Sequence, residues 1–215
     1  MSVEIVRVTR DNLAEAIDLA CSVFQPYDYN AIQQELMASV GLEPEKTDVL
    51  DVMEIHRAGY VMACKNGQPA GISGYYSHVG HEADVWLGWT GVMPEFAGNG
   101  VGEAVVRAAF DAASFDGIKN LRIWTSNEDQ YAAARRLYTR MGFQEEPYQA
   151  SALPCLGASL ARVFTKAANP HDTGDSWNKT GYRLPDLEIF DMPRLDRIAH
   201  RDWVRSNMLE PALPR

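Results

Sequence analysis

The sequence has few residues suited to hold a metal or a disulfide. Its three cysteines, Cys21, Cys64 and Cys155, are odd in number and far apart, and no Cys-x-x-Cys pair occurs. This spacing fits neither a disulfide framework nor a zinc site. Among five histidines only His78 and His81 are close in sequence, with a glycine between them. A loop pair of this kind is more often solvated than metal-bound, so we expect no metal.

Basic residues and long apolar runs are also scarce. Lys and Arg number 20 against 29 Asp and Glu, which gives a formal net charge of −9. Binding to nucleic acid needs clustered cations, so this balance argues against a nucleic-acid partner. No segment approaches the ~20 apolar residues of a membrane helix, and residues 1–6 lack the order of a secretory signal. We therefore expect a cytoplasmic protein with no membrane partner.

Apolar residues make up 46% of the 215-residue chain, which is enough for a sizeable core. Periodic segments occur in the order strand, two helices, three antiparallel strands, helix, strand, helix, strands. The predicted ranges are 3–8, 13–24, 30–40, 60–65, 70–77, 85–92, 101–113, 121–125, 129–141, 143–144 and 161–166. Asn66-Gly67 favours a tight turn between two of the strands. This order predicts an α+β fold, a mixed α/β layer with helices on both faces of one sheet.

Residues 168–215 differ from the rest of the chain. They begin with a polar, turn-forming stretch, and Trp177 and Trp203 then lie in more apolar surroundings. The segment is too apolar for a free linker. We therefore predict a domain over 1–167 and a C-terminal extension over 168–215 that packs on the domain or across a homodimer.

A glycine-rich loop joins the strand ending at Val92 to the helix beginning near Val101. Gly98, Gly100 and Gly102 alternate in it with Asn99 and Val101. A helix start carries N–H groups without intrahelical partners and a partial positive charge, and glycine lets a ligand approach them closely. Phosphate or pyrophosphate is the ligand that suits such a loop. The spacing fits neither a P-loop nor a dinucleotide fingerprint, and a turn without a ligand has the same spacing.

Two longer motifs carry a resemblance to a known family. The run Gly91-Val-Met-Pro-Glu-Phe-Ala-Gly-Asn-Gly-Val-Gly102 resembles the V-x-P-x-x-[RQ]-x-x-G-x-G signature of the GNAT superfamily. The run from Asn127 to Phe143, with Leu137-Tyr138 and Gly142-Phe143, resembles its N…A…L-Y-x-x-x-G-F signature. The resemblance covers residues 3–166 in element order and 85–145 in motifs. It implies a mostly antiparallel, twisted sheet that splays between its fourth and fifth strands.

The resemblance also implies a site for acetyl-CoA in that splay. Val92 and Met93 would pair with the pantetheine amides, as a ligand adds to an open strand edge. The N–H groups of Gly98, Asn99, Gly100, Val101 and Gly102 would hold the pyrophosphate. Asn127 would bind the pantetheine arm, and Tyr138 would protonate the leaving thiolate. The implied function is N-acetyl transfer from acetyl-CoA to a primary amine by direct attack.

Several points stay open at this stage. Ala97 stands where the family usually has Arg or Gln, so the donor is acetyl-CoA or another acyl carrier, such as a longer acyl-CoA or an aminoacyl-tRNA. A domain that binds acyl-CoA without turnover is a further alternative. The acceptor is unassigned, with a small-molecule amine preferred. Candidate general bases are Glu35, Glu82, Glu95, His56, His78 and His81, and a water chain would also serve.

Overall fold

The computed structural model describes residues 2–24, 29–42, 54–113, 115–148 and 161–180. The strands are β1 Val3–Arg7, β2 Ile55–Lys65, β3 Gln68–His78, β4 Asp84–Leu87, β5 Gly91–Val92, β6 Asn120–Ser126, β7 Gln144–Pro147 and β8 Ala161–Ala167. The helices are α1 Leu13–Val23, α2 Tyr29–Ser39, α3 Val101–Ala112 and α4 Ala132–Arg140. Short 3₁₀ turns cover Pro94–Phe96, Asp129–Tyr131 and Trp177–Thr180. None of the described helices is long and apolar enough to cross a membrane.

The strands form one sheet in the order β1-β2-β3-β4-β6-β8-β7, and β5 pairs with β3 beside that path. Only β4 and β6 run parallel among the described pairs, and every other pair is antiparallel. Asn66 and Gly67 have φ of 56° and 76°, as the predicted tight hairpin turn requires. The predicted mixed α/β layer with a mostly antiparallel sheet is confirmed.

Side-chain alternation along β2 separates two layers of core. Val61 and Ala63 pack in the cluster that contains α3, whereas Tyr60 and Met62 pack in the cluster of α1 and α2. Successive strand residues point to opposite faces, so α3 covers one face of the sheet and α1 with α2 covers the other. The predicted arrangement of helices on both faces follows directly from this alternation.

Residues 168–180 cover part of the face that α1 and α2 leave open. Trp177 is fully buried against Trp86 and contacts it edge-on, with ring centroids 4.8 Å apart. Arg122 lies 3.0 Å from Asp84 Oδ1 and donates to the Asp175 carbonyl at 2.8 Å. Because Trp177 and Arg122 are buried in these contacts, the described start of the extension packs within the subunit.

Some local expectations differ from the structure. The predicted strand 85–92 is interrupted at 88–90, and β2 begins at Ile55 instead of residue 60. Asn12 does not cap α1 with its side chain, because its Oδ1 accepts a 2.7 Å hydrogen bond from the Thr9 N–H. The calls on residues 150–160 and 181–215, including the later part of the predicted extension, lie outside the described residues.

Candidate active site in the splayed sheet

The centre of the site is a divergence between two neighbouring strands. β4 and β6 pair only from Asp84–Asn120 to Trp86–Arg122. Beyond that point β5 pairs with β3, and the rest of β6 pairs with β8. Within the described strands, no ladder joins β5 to β6, so the sheet opens into a cleft where the resemblance predicted a splay. The interruption at 88–90 lets the chain turn away from β6 while it rejoins β3.

Hydrogen-bond alternation determines which backbone groups of β5 face this cleft. The Met93 N–H donates to the Ala70 carbonyl at 2.9 Å, while Val92 lies opposite Gly71. In an antiparallel ladder the next residue along points its N–H and C=O away from the partner strand. Val92 therefore offers its N–H and C=O to the cleft, and the Met93 N–H is already bonded to β3.

The glycine loop follows β5 directly and has the conformation that an anion site needs. Gly98 and Gly100 have φ of 73° and 80°, a region that favours glycine, and Gly100 is the residue before α3. Around both glycines the space that a Cβ would enter is open. Within the described ranges, the N–H groups of residues 98–100 donate no hydrogen bond. Together with the start of α3 they form an exposed set of amides suited to bind a diphosphate.

A single junction brings the loop, β5 and α4 into contact. A Cβ placed on Gly102 would lie 3.6 Å from both Leu137 Cδ2 and Val92 Cγ2. Leu137 precedes Tyr138 on α4, so the helix that carries the tyrosine packs against the start of α3 beside Val92. Three of the predicted binding elements, Val92, the glycine loop and the Tyr138 helix, thus meet in one place.

Tyr138 is buried in α4 and contacts Phe164 of β8 edge-on, with ring centroids 5.5 Å apart. Its hydroxyl makes no hydrogen bond within the described part of the chain. Burial raises the pKa of Tyr138 to about 12, because the interior solvates phenolate poorly. The group is therefore a neutral hydrogen-bond donor at every physiological pH.

Asn127 is exposed just after β6, at the other wall of the cleft. The turn that holds it is bound by Arg135 of α4, whose Nη1 donates to the carbonyls of Ser126 at 2.7 Å and Glu128 at 2.8 Å. One guanidinium therefore fixes the residues on both sides of Asn127. The sequence analysis did not predict this role. An arginine only eight residues along the sequence from Asn127, at the start of the next helix, could have indicated it.

The histidine and Glu82 candidates for a general base lie away from the cleft. Along β3, His78 is about 20 Å from Gly71, the residue opposite Val92. His81 and Glu82 follow His78 in the turn to β4. A hydrogen bond from the Gly80 N–H lowers the pKa of Glu82, which makes it a weak base.

His56 shares that end of the sheet, because it follows Ile55, the partner of His78. Glu95 is exposed in the turn after β5, and Glu35 on α2 contacts Trp89 beside β5. No group of three or more metal-ligating side chains occurs among the described residues. The described groups at the cleft are an open strand edge and free amides at a helix start, and the buried phenol of Tyr138 belongs to the helix that packs against them.

Comparison with solved structures shows the same fold in other proteins. A GNAT-family acetyltransferase from Desulfovibrio desulfuricans, itself described as putative, is 19% identical and has a TM-score of 0.59, covering 78% of this chain and 100% of its own. The ribosomal-protein-S18-alanine N-acetyltransferase of Escherichia coli is 16% identical, with a TM-score of 0.53 and coverage of 80% and 99%. PaiA N-acetyltransferase from Thermoplasma acidophilum, solved in complex with coenzyme A, is 16% identical, with a TM-score of 0.50 and coverage of 78% and 99%. At these identities the likeness establishes the fold.

A search of curated protein sequences found no match. The family itself is shown by sequence, because the model of the Acetyltransferase (GNAT) family matches residues 25–143, more than half of the chain. That range contains β5, the glycine loop, Asn127 and Tyr138. The chain belongs to the GNAT acetyltransferase family.

Proposed function

We propose that this protein is an N-acyltransferase that transfers an acetyl group from acetyl-CoA to a primary amine, with a small molecule as the preferred acceptor. The observation that carries the proposal is the junction of Val92, Gly102 and Leu137, which puts an open strand edge, a set of free amides and the Tyr138 helix side by side. Each of the three groups suits a different part of one thioester donor. Family membership supports the same assignment.

The residues of the chain divide the binding of the donor between them. The N–H groups of residues 98–102 bind the diphosphate, and the partial charge at the start of α3 adds to the attraction. Val92 pairs with the pantetheine arm through its C=O, and Asn127 donates to the same arm from the opposite wall. Gly102 carries no side chain, so the donor reaches the start of α3 without obstruction.

In the reaction, the neutral amine nitrogen attacks the thioester carbonyl and a C–N bond forms. The Val92 N–H donates to the oxyanion that develops on the carbonyl oxygen. The C–S bond then breaks, the sulfur takes the electron pair, and Tyr138 donates a hydrogen bond and finally its proton to that sulfur. The nitrogen gives up its one extra proton, which restores neutral Tyr138, so an amide and a free thiol result.

The second part of the proposal concerns the identity of the acyl group, and Ala97 is the residue that bears on it. It is exposed and extended, and its carbonyl accepts a hydrogen bond from Asn99 Nδ2 at 3.1 Å. Its methyl group offers nothing to a diphosphate, so the backbone amides have to bind that group unaided. A longer acyl-CoA, whose tail adds apolar contacts, is the alternative donor that this substitution favours.

The proposal is tested by incubating the protein with acetyl-CoA or a longer acyl-CoA and a panel of amines. Free thiol is followed with a thiol reagent, and the mass of each product is measured. We expect an amine-dependent release of CoA and a product heavier by one acyl group. Tight binding of CoA without turnover of any amine would instead identify a non-catalytic acyl-CoA-binding domain.

A further inference from the structure

A lysine at the end of β2 reaches the glycine loop from a different part of the sheet. Lys65 lies opposite Val3, which packs with the α3 cluster, and Val61 and Ala63 of β2 point to the same face. Its Nζ donates to the Asn99 carbonyl at 3.4 Å, a long contact in which the ammonium charge attracts the carbonyl dipole. Within the part of the chain that the structure describes, this is the side chain's one hydrogen bond, and the ammonium forms no ion pair there.

The loop and the first turn of α3 have no cation of their own. Residues 93–106 contain neither Lys nor Arg. Their two carboxylates are those of Glu95 and Glu103, and Glu103 forms an ion pair with Arg107 at 2.8 Å. Lys65 therefore brings a positive charge to a segment that otherwise has only backbone amides to attract an anion.

Two carbonyls of the loop are held, and the amides that follow them are not. In a trans peptide the C=O and the N–H point in opposite directions. Because Lys65 lies on the carbonyl side of the Asn99–Gly100 peptide, the Gly100 N–H points away from the ammonium. Asn99 Nδ2 holds the Ala97 carbonyl at 3.1 Å, so the Gly98 N–H is directed away from that contact in the same way. Neither of these N–H groups donates a hydrogen bond to a described residue.

These contacts matter because peptides beside glycine turn over easily. Gly98 and Gly100 have φ of 73° and 80° and lack a Cβ, so rotation of the adjoining peptides meets little steric resistance. A turned Asn99–Gly100 peptide would direct a carbonyl oxygen, instead of an N–H, towards a bound diphosphate. The side chain of Ala97 cannot compensate for a lost amide. The binding orientation of the loop therefore depends on what holds its carbonyls.

We propose that Lys65 is a positioning residue of the donor site: it holds the Asn99 carbonyl and thereby presents the Gly100 N–H to the diphosphate of the acyl-CoA. The assignment rests on the proposed function. It goes beyond that function by naming a residue outside both family motifs that sets the affinity for the donor. Lys65 acts through the Asn99–Gly100 peptide and does not contact the ligand.

The first test compares two variants that lose the same charge. Lys65→Met should raise the Kd for CoA and the KM for acetyl-CoA about fivefold, the effect of leaving roughly one molecule in five with the amide facing the ligand. We expect kcat at saturating acetyl-CoA and the Tm to stay nearly unchanged, which a general loss of structure would not allow. Lys119→Met, at an exposed position just before β6, should change none of these values. Lys65→Arg keeps a cationic donor and should bind CoA within twofold of the unmodified protein.

The second test asks whether Lys65 acts through the peptide. Gly100→Ala already displaces the loop, so adding Lys65→Met to it should weaken CoA binding less than twofold further. A further fivefold loss in the double variant means that Lys65 binds the ligand by itself, and the positioning role is then wrong.

The outcomes also separate this role from the proposed function. If the unmodified protein binds CoA and acylates amines while Lys65→Met and Lys119→Met have equal Kd values, only the role of Lys65 is refuted. If the unmodified protein binds no CoA, both assignments are refuted.

Discussion

Replacement of Tyr138 by Phe separates the proposed acid from the packing around it. The ring contact with Phe164 survives, and the lost hydroxyl has no hydrogen-bond partner within the described residues. Removing such a group leaves no other buried polar atom unsatisfied, so the variant should fold with nearly unchanged stability near pH 7. A change in turnover would then report on chemistry.

The expected size of the effect follows from the pKa of Tyr138. At about 12, the phenol is a weaker acid than free tyrosine, whereas a thiol has a pKa of ~8.5. Complete proton transfer to a solvated thiolate would be uphill by about 5 kcal/mol, since each pKa unit is worth ~1.4 kcal/mol. The hydrogen bond to the developing charge therefore accounts for most of the effect, and such bonds contribute roughly 1.5–3 kcal/mol. We expect kcat to fall about 10- to 150-fold.

Two measurements check this reasoning. Turnover is assayed by thiol release and CoA affinity by calorimetry, and the affinity should be nearly unchanged in Tyr138→Phe. A variant that keeps full kcat, or one that loses CoA binding in proportion to turnover, refutes the assigned role.

Alkaline unfolding gives a second readout of the same variant. Because the pKa of Tyr138 is raised in the folded state, the stabilisation is present in full below pH 10 and is lost as pH rises through about 12, and the whole loss amounts to ~3 kcal/mol. In Tyr138→Phe, the free energy of unfolding should therefore fall less over the same rise in pH, by about that amount. Equal pH dependence in the two proteins means that the phenol is not buried.

Two further predictions concern residues that support the site. Trp177→Ala removes a fully buried ring and should cost about 3–5 kcal/mol, which lowers Tm by roughly 10 °C in thermal unfolding; a shift within about 2 °C would show that residues 168–180 are not part of the folded core. Arg135→Lys replaces a fork that binds two carbonyls by a single point charge and should raise the Kd for CoA several-fold, whereas Arg136→Lys, at an exposed position, should not. Equal affinities in the two lysine variants would contradict the role of Arg135 in positioning Asn127.

Most of the element order could be predicted from the sequence, because local patterns determine it. Each of these patterns shapes the backbone at its own position in the sequence. Alternation along β2 separates its two faces, Asn66-Gly67 forms the turn to β3, and Gly142 has a φ of 87° just after α4. The interruption at 88–90 was missed, although two glycines inside an apolar strand are a known signal for a break. Trp89 and Thr90 between them made the segment resemble a continuous strand.

Contacts between distant residues could not be predicted in the same way. The ion pair of Arg122 with Asp84 joins two parallel strands, and nothing near either residue indicates that both are buried. Glu35 was one of six candidate bases, and only the packing of α2 over Trp89 distinguishes it. A single sequence contains the residue types of such clusters but gives no sign of which distant residues meet.

Binding of CoA to the glycine loop is the claim on which the account depends, and calorimetry tests it directly. Unmodified protein should release or absorb heat on titration with CoA. Gly100→Ala should bind about tenfold more weakly, because a non-glycine residue at φ of 80° costs roughly 1–2 kcal/mol and the loop relaxes away from the geometry that the diphosphate needs. The absence of heat with any CoA species, or equal affinity in the variant, would contradict the assignment of this loop.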